Sequence, residues 1–204
     1  IRINNQKHYW LYNNARANGV VIGKESYLYE KNYIKAHYGI DYIGEKEIED
    51  KSEKLRFIQE KLKESGTDLY VVFAPGKGSF YSEFIPDKWK EEAQSNTNYK
   101  SYLKAFDKKG INYLDFKSWF FQMKKDAPYP LFAKAGIHWS NYGQFLAADS
   151  LLNKIGEIRS TEMPKLVLDR VRVDEKNAMG DYDIGDGMNL FFDHSLHVSK
   201  IGSL

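Results

Sequence analysis

The stretch "EKEIEDKSEKLRFIQEKLKESGTDLYVVFAP", residues 45 to 75, decides the fold. Ile48, Leu55, Ile58 and Leu62 recur at spacings of seven, three and four, the period of one helix face, so the spacing predicts a helix over 45–65. Gly66 stands at the C′ position, where a residue free to take positive φ ends a helix. Residues 68 to 75, "DLYVVFAP", then read as a buried strand, rich in β-branched and aromatic residues and bounded by turn residues. Helix, short loop and buried strand together make the rhythm of an α/β fold with a largely parallel sheet.

The rhythm repeats downstream. Tyr99 to Lys109 read as a helix closed by Gly110, "INYLDF" (111–116) as a second strand, and "KSWFFQMKK" as a short helix. "YPLFAK" (129–134) is an extended segment leading to "KAGIHWSNYG" (134–143). Asn141 is expected to cap a helix running to Ile155, with Gln144 as its box partner and Gly156 as its stop. Upstream, residues 3–17 read as a helix, and Val20–Ile22 with Tyr27–Tyr29 as a hairpin. "KLVLDRVRVDE" (165–175) alternates apolar and charged residues like a half-exposed strand, and "GDYDIGDGMNLFFDH" (180–194) is a Gly/Asp-rich loop. With no repeat or linker, one domain over 1–204 is expected. Its sheet should contain 69–73 and 111–115, joined by a right-handed crossover. Leu55, Ile58, Val72, Phe73, Leu152 and Ile155 should be mostly buried.

Composition narrows the function. The 204 residues carry 30 Lys and Arg against 28 Asp and Glu, interspersed, so neither nucleic acid nor an anionic membrane is indicated as a partner. There is no cysteine, which removes disulfides, thiolate zinc sites and a Cys nucleophile. No apolar run approaches the roughly 20 residues that span a bilayer. Beginning at Ile1 without an initiator Met, the chain reads as trimmed from a longer protein that could carry an export signal. Aromatic residues reach 15%, in keeping with a sugar-facing surface as well as with a core.

Ligands of open α/β sheets bind at the carboxyl ends of strands. Two loops qualify here, "APGKGSFY" (74–81) and "GIHWSNYG" (136–143). His138 precedes a helix N-terminus, where the dipole disfavours imidazolium. It is either the general base of an acyl-transfer site or a packing residue against Trp139. Lys77, with Ser79 and Tyr81, either binds an anion or sugar hydroxyl or belongs to a surface loop. "GKG" lacks the ending of a phosphate loop. Asp181, Asp183 and Asp186 suggest calcium, but the EF-hand pattern wants an acid or amide at Gly185 and a later Glu; no metal and no cofactor are expected. Asp149-Ser150 falls inside a helix, and His194 and His197 lie in the tail without companion ligands.

"VVIGKESYLYEKNYI" (20–34), "VVFAPGKGSFYSEFIP" (71–86), "INYLDF" and "GIHWSNYGQFLAADSLL" (136–152) together resemble the SGNH-hydrolase-like family of the alginate O-acetyltransferases (AlgJ/AlgX type) and the related DHHW-motif proteins. The resemblance implies a flavodoxin-like three-layer α/β/α sandwich, whole or cut short at its C-terminal end, in a periplasmic or cell-surface protein acting on acetyl groups of a polysaccharide. It implies His138 as catalytic base, with Lys77, Tyr81, Trp139 and Tyr142 lining the substrate site around one cleft. Two departures stand out. The family's acid lies two residues before the histidine, where this chain has Gly136, and its nucleophilic serine lies on a later strand-turn. Nothing after His138 reads as a buried strand with a Gly-x-Ser turn, and Ser195, Ser199 and Ser203 sit in a polar tail. The expectations are therefore an O-acetyltransferase- or acetylesterase-related domain without its nucleophile, or a noncatalytic glycan-binding or assembly module. An unpaired sheet edge would favour a homodimer.

Overall fold

The structure is a computed structural model and describes residues 1–169, 172–174, 182–192 and 201–203. Residues 1–30 together with 123–204 form one compact unit, and Lys31–Gln122 form a second.

In the second unit the helix read from residues 45–65 runs over Glu45–Glu64 (α3 in chain order) and ends at Gly66, whose φ is +73°. It follows α2 (Lys31–Tyr38) and packs along α5 (Asn98–Lys109). The Thr97 hydroxyl caps α5 by accepting from the Lys100 N–H at 3.2 Å, and Gly110 closes it with φ 65°. The two expected strands are present and parallel, but only as Val71–Val72 (β3) paired with Tyr113–Leu114 (β4). Flanking bonds lengthen the pairing slightly: the Val71 N–H donates to Asn112 O at 3.0 Å and the Phe73 N–H to Leu114 O at 2.9 Å. One turn of helix (α4, Lys77–Phe80) follows β3, and α6 (Phe116–Met123) follows β4.

The core of this unit differs from the expected one. Ile34, Ile48, Phe80, Ile85, Phe106 and Phe120 are buried, whereas Ile58 is 48% and Val72 39% exposed, and Leu55 and Phe73 are half-buried. Helix geometry explains Ile58. The line of α3 facing inward passes through Ile48, Ser52, Leu55 and Gln59, and at about 100° per residue Ile58 falls a quarter-turn away. Gln59 uses that line for polar contacts, donating to Gly110 O at 3.0 Å and accepting from the Asn112 N–H at 2.7 Å.

Charges also tie α3 to α5. The Lys109 ammonium lies 2.8 Å from both Glu49 and Glu53, and Arg56 bonds Glu53 from the same helix. The Arg56 and Lys109 hydrogen bonds hold the Glu53 carboxyl down at about 2. A depressed carboxylate contributes stability above its unfolded value near 4.5 and loses it as pH falls toward 2. The urea midpoint should therefore fall across that window, and Glu53→Gln should flatten the fall. An unchanged slope in the variant would remove this pairing from the stability of the unit.

In the first unit α1 spans Arg2–Tyr12 and stops at Asn13 (φ 47°), short of the expected residue 17. Its buried amides explain its position. The Asn5 side chain donates to Met188 O at 2.9 Å, and Gln6 Oε1 accepts from the Phe191 and Phe192 N–H groups at 2.9 Å. Strands β1 (Val20–Ile22) and β2 (Leu28–Glu30) form the expected hairpin, shifted by one residue in the second strand. The Leu28 N–H donates to Lys134 O at 3.0 Å, so the chain at Lys134 lies beside β2, while the 129–134 stretch is bent at Tyr129, Leu131 and Lys134 and not extended throughout. Ala15, Ile22, Leu28, Ala135, Ile184 and Met188 close the core.

Helix α7 runs over Asn141–Arg159, past the expected stop at Gly156, and ends at Ser160 with φ 49°. Gly156 instead lets the chain return: a Cβ there would meet Thr161 O at 2.9 Å. The buried face of α7 is Tyr142, Gly143 and Ala147, which leaves Leu152 half-buried and Ile155 38% exposed rather than in the core. Of the strand expected over 165–175, Arg172–Asp174 (β5) pairs antiparallel with Ile201–Ser203 (β6), while 165–169 form neither strand nor helix. Asp183–Met188 form the short helix α8. Asp181, His194, Ser195, His197 and Ser199 lie outside the described residues.

Candidate functional site

The motif around His138 is a turn folded back on itself. Phe132 and Trp139 make an antiparallel bridge, and the Ser140 N–H donates to Leu131 O at 2.9 Å. Ser140, not Asn141, is the N-cap of α7: its hydroxyl accepts from the Gly143 N–H at 3.1 Å and donates to Pro130 O at 2.6 Å. Ser fits because a short side-chain oxygen reaches the N3 amide. Gln144 does not box the cap; its side chain donates to Trp139 O at 2.9 Å. Gly143 is required where α7 crosses the 131 backbone, since a Cβ there would lie 2.6 Å from Leu131 O. The His-Trp-Ser-x-x-Gly spacing thus encodes a cap and a close approach that together fix the histidine. Ser140→Ala should cost about 1–2 kcal/mol in chemical denaturation, the value of an N-cap. A loss under a few tenths of a kcal/mol would show that the cap is dispensable.

His138 projects from this turn with its side chain 68% exposed. Its Nδ1 lies 2.9 Å from Asp183 Oδ2, on the first residue of α8. The other carboxylate oxygen, Oδ1, accepts from the Ile137 and Ile184 N–H groups, each at 2.9 Å. The Gly185 N–H donates to Ala135 O at 3.1 Å, so α8 is docked on the histidine turn by backbone as well as side chain. Among the described residues, Nε2 has no hydrogen-bond partner. A carboxylate can only accept, so the Nδ1 facing it carries the proton and a neutral ring presents an unprotonated Nε2 to solvent. Trp139 is half-buried in the bridge with Phe132; Tyr142 is buried, with Tyr129 edge-on at 5.2 Å.

The remaining expected residues belong to the second unit. Lys77 opens α4 and is 1% exposed, and its flanking glycines have a packing reason. A Cβ on Gly76 would strike the Tyr33 ring at 2.4 Å, and one on Gly78 the Tyr33 carbonyl at 2.5 Å. "GKG" is therefore the place where α4 meets α2. Tyr81 packs edge-on against Phe80 and Phe84.

At the carboxyl end of β3 a pocket of about 360 Å³ is lined by Phe73, Ser79, Asn98, Tyr99, Tyr102 and Lys117 among others. Lys117 lies 4.0 Å over the Tyr99 ring, and burial lowers its pKa. Burial, foremost, raises Tyr99 to about 12, while its hydroxyl donates to Asp115 at 2.8 Å. Sequence reading named Ser79 but not Tyr99 or Lys117, which reach the pocket from α5 and from the start of α6. Nor does the sequence show Asp183 as a partner of His138: the two are 45 positions apart, and the Asp-rich pattern around Asp183 suggests only a metal ligand.

No curated protein matches the chain in sequence. It resembles the O-acetyltransferase domain of Pseudomonas putida AlgJ with a TM-score of 0.55 at 18% identity, covering 78% of this chain and 54% of that one. It also resembles Pseudomonas aeruginosa AlgX with a TM-score of 0.48 at 18% identity, covering 80% of this chain and 38% of that one. The chain therefore spans about half the length of the AlgJ domain. Residues 20–183 match the family described as the SGNH hydrolase-like domain of acetyltransferase AlgX, and the chain belongs to that family.

Proposed function

We propose that this chain is a carbohydrate O-acetyltransferase- or acetylesterase-related domain of an exported protein, with His138 as its general base. The observation carrying this reading is the placement of His138: one ring nitrogen is engaged by a carboxylate while the side chain is 68% exposed, within the residues that match the family. A base so held takes the proton from an attacking hydroxyl as its oxygen bonds the acetyl carbonyl carbon, and returns it to the oxygen that leaves when the original acetyl C–O bond breaks. Trp139 and Tyr142, on the same turn as His138, are the proposed substrate contacts. Ser140 is committed to capping α7, so it is not the attacking hydroxyl.

The chain as it stands should therefore hydrolyse aryl acetates no faster than a His138→Ala variant. Robust turnover that vanishes in that variant would reveal a nucleophile within these residues, with Ser79 the first to replace. The function itself is tested by calorimetry with O-acetylated and deacetylated oligosaccharides of the same backbone. Preferential binding of the acetylated form is expected, and equal or absent binding of both would end the proposal.

A noncatalytic glycan-binding module is favoured by one separate observation. Trp10 and Phe192 stack at 5.9 Å with an interplanar angle of 11° while remaining 61% and 58% exposed. Exposed stacked aromatics suit the apolar face of a sugar. Binding lost in Trp10→Ala but kept in His138→Ala would support this second reading.

A further inference from the structure

We propose that Asp183 is the positioning residue of His138, supplying from α8 the carboxylate that Gly136 cannot supply from the histidine loop. The inference rests on the reading of His138 as a base, and it deepens that reading. Three features carry it. The carboxylate divides its work: Oδ1 is held by two backbone N–H groups and Oδ2 faces the imidazole, so its orientation is fixed before the ring is considered. One of those amides belongs to Ile137, the residue before the histidine, so a single side chain clamps both the loop backbone and the ring. The helix carrying Asp183 is itself anchored, because Ile184 and Met188 are buried in the core and Gly185 bonds the loop at Ala135. The side chain is 33% exposed and thus partly shielded beside the more open histidine.

This arrangement sets the tautomer. With an acceptor at Nδ1, the neutral ring keeps its proton there and leaves Nε2 able to take one from substrate. Asp183→Asn separates positioning from mere packing. The two backbone donors would select the Asn carbonyl oxygen in place of Oδ1, turning the amide NH₂ toward Nδ1. The ring would then have to accept at Nδ1 and carry its proton on Nε2, where it can no longer act as a base.

The experiment is long-range ¹H–¹⁵N correlation of the imidazole of His138 in the intact chain, at pH values where the ring is neutral. Wild type should show the Nδ1–H tautomer, and Asp183→Asn should shift it to Nε2–H with the backbone amide spectrum otherwise preserved. An Nε2–H ring in wild type would overturn the assignment even if the variant failed to fold, and so would an unchanged Nδ1–H ring in a folded variant. Neither result depends on turnover or glycan binding. Failure here is therefore distinguishable from failure of the acetyl-site reading.

Discussion

Leu28→Ala is expected to destabilise the protein by on the order of 2–5 kcal/mol, the range for buried leucines truncated without full collapse of the cavity. Leu28 is fully buried between Ile22, Ala135, Ile184 and Met188. It shares its core cluster with Ala135 of the histidine loop and with Ile184 and Met188 of the helix that carries Asp183. Its own N–H bonds Lys134, so the hairpin and the loop loosen together. Leu152, only half-buried, should lose less when truncated in the same way. Urea denaturation of both variants checks the order; a cost below about 0.5 kcal/mol for Leu28 would mean that the core is misassigned.

Gly143→Ala should be nearly as damaging although it adds a single methyl. The new Cβ would sit 2.6 Å from the Leu131 carbonyl, and the obstacle is backbone, which cannot swing aside as a side chain does. Overpacking of this kind costs about 1–3 kcal/mol, and a backbone clash belongs at the upper end. Helix propensity alone would favour Ala over Gly by about 1 kcal/mol, so the two effects have opposite signs and the measurement decides between them. A stabilised variant would show that α7 does not cross the 131 segment this closely.

The parts of this fold that were legible in the sequence are those with local signals. The α3 period with Gly66, the α5 stop at Gly110 and the hairpin around Lys24–Ser26 all depend on residues within a few positions of one another. The losses have equally specific causes. Gly156 reads as a stop, but in the structure it makes room for Thr161, and a glycine's sequence context does not distinguish the two. The inner face of α3 is set by Ser52 and Gln59, whose small size and amide contacts carry no hydrophobic signal. In the site, His138 was legible because its turn is local, whereas the cap reads one residue late, at Asn141 instead of Ser140, and Gly143 shows its role only where α7 meets the 131 backbone. Asp183 was not legible, because its link to His138 exists only once α8 is docked on Ile184 and Met188.

The most direct measurement of whether this turn is an acetyl-recognition site is an intermolecular nuclear Overhauser effect. An O-acetylated oligosaccharide is added to the ¹³C,¹⁵N-labelled chain, and contacts are sought from the acetyl methyl protons. Acetyl chemistry at His138 predicts contacts from that methyl to the imidazole Hε1, beside Nε2. Bound ligand whose acetyl methyl contacts only Trp10 and Phe192, or no aromatic proton of the histidine turn, would contradict it.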